Sequence, residues 1–290
     1  IRGEEHIANT PRQILIQEAL GFSKPKYAHL PLILGQDRSK LSKRDGDQTV
    51  SEFKKIGYLP EALVNFMAFL GWNPGNEREI YSMASLIQDF SLERVQKGGA
   101  VFNLKRLDFI NGFYIRKKSL DKLTELCLPY FPSPAKGGEG GEETEFQRSA
   151  KKTADFGYAK KITAIYQERL KKLSEIRELT DFFFLDKLEY DKKLLRWKEM
   201  GDKEIRSVLE DLEQMLSELG ANDWNKENLT KVLLAKAERI GDKGKLLWPL
   251  RAALTGKEAS APPFDVAEIL GKEKTLARIR KAKQIISNAQ

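Results

Sequence analysis

The second half of the chain is patterned almost throughout for helix. Tyr158, Ile162, Ile165, Leu173 and Ile176 keep a 3.6-residue period, which predicts a helix from Ser149 to Ile176. Further helices are predicted over 203–219, 226–240, 245–254, 266–270 and 274–287, with Gly220, Gly241, Gly256 and Gly271 near their ends. Glycine there relieves the left-handed conformation that closes many helices. No strong strand signal follows residue 120, so this part is expected to be all-α.

The first half is mixed. Thr10 is a predicted N-cap, Pro11 suits the first helical position, and Gln13 would complete a capping box for a helix that stops at Gly21. Leu30-Pro31-Leu32-Ile33-Leu34-Gly35 predicts a short buried strand. Pro60 opens a helix with Leu63, Phe66, Met67 and Leu70 on one face and Gly71 beyond its end. Short helices are predicted over 82–89 and 91–97, and a last element over 108–115. The stretch about 132–146, rich in glycine, proline and charge, is expected to be a flexible loop. These features predict one domain over 1–118 and a helical one over 119–290.

A length of 290 residues accommodates two cores of that size. No apolar run approaches the ~20 residues that span a bilayer, so no membrane association is expected, and no signal peptide is evident. One cysteine, Cys127, excludes an internal disulfide, and two histidines leave too few ligands for a structural zinc site. Cys127 lies between Leu126 and Leu128 and is expected to be a small core residue. Fifty basic residues against 42 acidic ones give a net charge of +8. That excess is compatible with a polyanionic partner.

Chemistry concentrates in Lys40-Leu41-Ser42-Lys43-Arg44-Asp45-Gly46, where three cations surround a serine and Asp-Gly supplies turn chemistry. A strand feeding a compact cationic loop suits a polyphosphate. Lysine is a mobile point charge, and the hydroxyl and loop amides add hydrogen bonds. A solvated basic turn is the plainer alternative.

Lys40 to Arg44 resemble the KMSKS-type loop of class I aminoacyl-tRNA synthetases, in the KLSKR form of the bacterial glutamyl-tRNA synthetases. Other runs resemble the same family. They are Arg2-Gly3-Glu4-Glu5-His6 with Asn9-Thr10-Pro11-Arg12-Gln13, Gly57 to Leu63, Leu70-Gly71-Trp72, Ala100-Val101-Phe102 and Asn111 to Arg116. Pro249 to Gly256 and Leu270-Gly271-Lys272-Glu273 look like the end of its anticodon-binding domain. The family's other ATP motif, the HIGH tetrapeptide, has no counterpart. The chain is therefore expected to be the C-terminal portion of a longer enzyme, and to show little or no activation alone.

The resemblance implies a mostly α chain: a remnant of a Rossmann-like α/β catalytic domain with a stem-contact region, then an all-α anticodon-binding domain. It implies ATP-dependent activation of glutamate, with Mg²⁺, and transfer to the terminal adenosine of tRNA. The partners implied are glutamate and tRNA-Glu, with tRNA-Gln left open, for a cytoplasmic monomer. Lys40, Ser42 and Lys43 would be catalytic. Lys43, Lys40, Arg44, Glu5, His6 and Ile33 would meet ATP, and Arg2 the glutamate. Arg169, Lys171 and Lys172 would meet tRNA. A guanidinium is apt for Arg2 because it pairs a carboxylate through two parallel hydrogen bonds.

Plainer roles exist beside these. Arg2 would otherwise be a solvated terminal arginine, His6 a surface residue, Ile33 a sheet filler, and Arg169 one member of an intramolecular salt bridge. Asp37 and Asp45 read as turn residues, and no metal ligand is assigned. Trp197, Trp224 and Trp248 are expected to pack before they stack on bases. Two rival readings remain: a non-catalytic tRNA-binding module derived from such a synthetase, and a glutaminyl enzyme, against which the helical C-terminal half argues.

Overall fold

The computed structural model describes residues 1–39, 49–132 and 156–287. The chain divides into two compact units: Ile1–Lys118 with Arg169–Ser174, and Ser119–Glu168 with Glu175–Gln290.

The first unit has little sheet. β1 (Arg2–Gly3) pairs in parallel with β2 (His29–Leu30), and β3 (Ile33–Leu34) with β4 (Ala100–Val101). The single strand predicted over 30–35 is thus two. Pro31 has no N–H to give a ladder, and the chain changes partner across Pro31 and Leu32. Ile33 is 39% exposed rather than buried. A 3₁₀ turn (Glu4–Asn9) leads into α1 (Thr10–Ala19).

The core of this unit is built by α2 (Val50–Lys55), α3 (Pro60–Ala68), α4 (Met83–Asp89) and α5 (Leu104–Lys117). Helix α3 packs on α5 and buries Ala62, Leu63 and Phe66; α5 buries Leu107, Ile110 and Ile115. Phe102 stacks on Phe53 at 5.9 Å and meets Phe66 edge-on at 5.0 Å. Helix α2 escapes the apolar pattern, but a capping box starts it: Thr49 accepts from Glu52 N at 3.3 Å and gives its own N–H to the Glu52 carboxylate at 2.5 Å. Element α5 is longer than predicted because Asn103 caps it at 3.2 Å, ahead of the apolar signal.

Segment 169–174 completes this unit. The helix predicted from Ser149 to Ile176 is broken: α7 (Phe156–Tyr166) ends, and α8 (Glu175–Thr180) begins anew. Between them Leu170 and Leu173 are buried, Leu173 N–H donates to Gly57 O at 3.1 Å, and Lys171 O accepts from the Asn111 amide at 2.5 Å. Tertiary bonds have replaced the intrahelical ones.

The second unit is helical among its described residues. α6 (Leu120–Cys127) packs on α7 and buries Leu123 and Cys127. α9 (Asp202–Glu218), α10 (Lys226–Ile240), α11 (Lys243–Thr255) and α12 (Pro263–Ser287) pack together. Ile205, Leu209, Leu212 and Leu216 form the buried stripe of α9, which packs chiefly against α12 and also against α11; Leu229 and Leu233 of α10 and Leu246 and Leu250 of α11 are buried too. Gly241 and Gly256 hold the left-handed C-caps. Gly271 (φ 78°, ψ 165°) interrupts α12 and separates the two helices predicted there. The Cys127 thiol is fully buried, and burial pushes it up to about 12.

Candidate functional site

The N-terminal strand, turn and helix gather a polar cluster around Arg2. Its backbone N–H donates to Ala28 O at 3.1 Å, which holds β1 against β2. Its guanidinium donates through Nη2 to Thr10 Oγ1 at 2.7 Å and through Nη1 to Gln13 Oε1, and lies 5.2 Å from the centre of the Tyr27 ring. The pair predicted to cap α1 is therefore engaged elsewhere: Asn9 occupies the cap position without a side-chain bond, and Thr10 is already helical.

Thr10 is the hub. Its hydroxyl donates to His6 O at 2.9 Å and lies 3.0 Å from His29 Nε2. With its one proton spent, the hydroxyl must accept from His29, which assigns the imidazole a proton on Nε2. His29 escaped the sequence reading, since a lone histidine before an apolar run has no local signal.

All of Arg2's partners are neutral. Among the described residues no carboxylate lies within ion-pair distance of it, and its Nε is buried without an acceptor. The charge is held in place but not neutralised, and two bonds leave three of five N–H donors. Such a group can still pair with an anion.

Glu5 and His6 are exposed on the 3₁₀ turn. The Glu5 carboxylate folds over Gly3, where a Cβ would collide with it, while Glu4 accepts from Leu32 N–H at 3.0 Å and ties the turn to the link between β2 and β3. Lys40, Ser42, Lys43 and Arg44 lie outside the described residues. Just before those residues in the chain, Arg38 N–H donates to Gly35 O, Gly35 N–H to Ser39 O, and Gln36 Nε2 to Phe102 O at 2.6 Å. Asp37 accepts from Ser39 N–H at 2.9 Å, a bond that holds its carboxyl below the usual range. It is a turn residue. Thr49, the cap of α2, is the first described residue after them.

Arg169 is exposed in the turn after α7 rather than among the apolar positions of a helix. Lys171 is exposed and Lys172 half-buried, 4.0 Å from Asp108. Elsewhere Lys160 pairs with Asp121 at 2.5 Å and Lys192 with Asp202 at 3.3 Å. The tryptophans are packed: Trp224 Nε1 donates to Ala267 O, Trp248 Nε1 to Leu194 O and Trp197 Nε1 to Asp242, with the rings of Trp197 and Trp248 5.2 Å apart.

Two family models match consecutive parts of the chain. Residues 1–109 match the catalytic domain of the class I tRNA synthetases (E and Q), and residues 122–283 match an anticodon-binding domain. Glutamate–tRNA ligase 1 of Caldicellulosiruptor saccharolyticus is 43% identical over 285 residues, covering 96% of this chain and 55% of the relative. The chain belongs to the glutamate–tRNA ligase family.

Another family member, from Carboxydothermus hydrogenoformans, is 41% identical over 280 residues, with 96% and 55% coverage. A solved glutamate–tRNA ligase of Elizabethkingia meningosepticum, in complex with its amino acid, superposes with a TM-score of 0.73 at 30% identity. It covers 98% of this chain and 56% of its own. The chain thus spans about half the length of the curated ligases it matches. As in those ligases, a catalytic-domain portion precedes a helical anticodon-binding domain. No helix among the described residues is long and apolar enough to cross a membrane.

Proposed function

We propose that this chain serves as the tRNA-reading and loop-bearing part of a glutamate–tRNA ligase, with residues 1–118 contributing to the catalytic domain and 119–290 binding the anticodon. The observation that carries this reading is the succession of the two family models along one chain. In the reaction a carboxylate oxygen of glutamate attacks the α-phosphorus of ATP and pyrophosphate leaves; a hydroxyl of the terminal adenosine of tRNA then takes the acyl group from the adenylate as AMP leaves. The protein's part is to position the reactants and to neutralise charge on the phosphates.

Arg2 receives the carboxylate of glutamate; its unneutralised, half-buried guanidinium supports that role. Lys43 stabilises the charge that develops on the pyrophosphate side, with Lys40 as its partner, Ser42 fixing the loop, and Arg44, Glu5, His6 and Ile33 around the nucleotide. Mg²⁺ would come with the ATP phosphates. The described residues gather no group of three or more metal-ligating side chains, and no step is assigned to a protein-bound ion. Arg169, Lys171 and Lys172 meet the tRNA backbone and loop. The ligase acts as a cytoplasmic monomer, and the chain by itself carries little activation.

Binding to tRNA-Glu across a salt series, beside transcripts with altered anticodons, tests the reading. Tight binding is expected whose logarithm falls linearly with log salt and which weakens by about 1–3 kcal/mol when one anticodon base is changed. Binding indifferent to the anticodon would refute it. ATP–pyrophosphate exchange at the rate of an intact ligase would refute the inactivity of the isolated chain.

A further inference from the structure

Many cations of the helical unit are paired with carboxylates. Arg280 and Lys283 share Glu213 at 2.6 and 2.8 Å, Lys245 meets Glu204 at 2.8 Å, and Lys236 meets Asp211 at 2.5 Å. One cleft gathers several that are not. It measures about 270 Å³ and is lined by Asp186, Lys187 and Tyr190 of the loop after Leu185 and by Lys274, Arg278 and Lys281 of α12. Positions 274, 278 and 281 follow the i, i+4, i+7 spacing of one helix face.

Four cations here face one carboxylate. Among the described residues Lys187, Arg278 and Lys281 have no carboxylate within ion-pair distance. Asp186 reaches Lys274 only at 4.0 Å, with its side chain 69% exposed. Arg278 is 4% exposed and pinned by three carbonyls, those of Leu254, Phe182 (2.6 Å) and Leu185 (2.8 Å). Carbonyls fix its position but carry no net charge to cancel its own. Its Nε and the Tyr190 hydroxyl are buried without partners. Burial, and then the neighbouring Arg278, push Lys274 down to about 8. Crowding like charge in this way costs stability in the empty protein, and a bound anion returns it.

We propose that this cleft binds a phosphate group, held by Lys274, Lys281 and Lys187 with Arg278 as the buried charge behind them. Phosphate suits the donors better than carboxylate does. Both Nη atoms of Arg278 are already engaged, so no planar fork is free, and the lysines that remain are point charges around a small volume. The assignment rests on this geometry and stands apart from the ligase reading. The phosphate is either free or part of an RNA backbone.

Labelling of lysine amines with acetic anhydride at pH 8 on the full chain, read by mass spectrometry, tests it. Inorganic phosphate, pyrophosphate and a short single-stranded RNA are compared with sodium chloride of equal ionic strength, and Lys245, already paired with Glu204, is the internal control. At a probe concentration ten times its Kd, labelling of Lys274 is expected to fall about tenfold by mass action while Lys245 is unchanged. Protection by inorganic phosphate or pyrophosphate supports a free-anion site. Protection by RNA alone supports a backbone phosphodiester. Lys281 is exposed, so Lys281→Gln leaves folding intact and should weaken the protection of Lys274. No protection by any probe, equal protection by chloride, or protection unaffected by Lys281→Gln overturns the proposal.

Discussion

Replacing Asn111 by alanine is expected to loosen the first unit more than any surface change. Asn111 is fully buried on α5. Its Oδ1 accepts from Leu59 N–H at 2.8 Å, and its Nδ2 donates to Lys171 O at 2.5 Å and, more weakly, to Gly57 O at 3.5 Å. One side chain thus ties the entry of α3, the turn before it and the returning segment 169–174. Alanine leaves the Leu59 donor and the Lys171 acceptor unmet where water has little access. Each such group costs about 1–3 kcal/mol, so a loss of roughly 3–5 kcal/mol is expected. The two units need not unfold together, so a single melting temperature would blur the effect. Amide hydrogen exchange separates them. A loss of about 3 kcal/mol speeds exchange at Leu59 and Leu173 by about a hundredfold or more, while amides of α9 to α12 keep their protection. Unchanged exchange at Leu59, or a loss under about 0.5 kcal/mol, would refute the view that this clasp holds segment 169–174 in place.

Gly57→Ala strikes the same junction from the other side. Gly57 has φ +89°, and an added Cβ would lie 2.6 Å from Leu173 Cβ; a loss of about 2–4 kcal/mol in urea titration is expected from backbone strain and overpacking together. Lys274→Met is expected to stabilise the second unit at pH 7, because it removes a charge that burial and Arg278 disfavour. Native Lys274 titrates near 8 against 10.5 as its reference. Below pH 8 folding therefore carries the full penalty of the charged form. Between about 8 and 10.5 the unfolded chain binds the extra proton, so wild-type stability rises and the advantage of methionine fades. Thermal melts of both proteins at pH 7 and pH 9.5 check this, and an advantage that grows with pH would refute it.

Legibility differed between the two units for a physical reason. Helices α9 to α12 follow from residues within a few turns of one another: an apolar stripe, capping side chains, and glycines where the backbone turns left-handed. The break after Tyr166 did not, since residues 167–174 are adequate helix formers. What ends the helix is burial of Leu170 and Leu173 and the bonds offered by Asn111 and Gly57, more than fifty residues away. Thr10 and Gln13 show the same competition. Locally they spell a capping box, but Arg2 is a stronger donor to both side chains than a backbone N–H.

The sequence by itself determined that the second half is helical and which family the chain belongs to, because these depend on spacing and on residue types in short runs. Tertiary structure alone decided that Arg2 is surrounded by neutral partners, that His29 joins its cluster, and that segment 169–174 belongs to the first unit. It also decided that the cations at 187, 274, 278 and 281 meet around one cleft. Those outcomes depend on which distant groups can satisfy a buried donor or cancel a charge, and that is set only once the chain has packed.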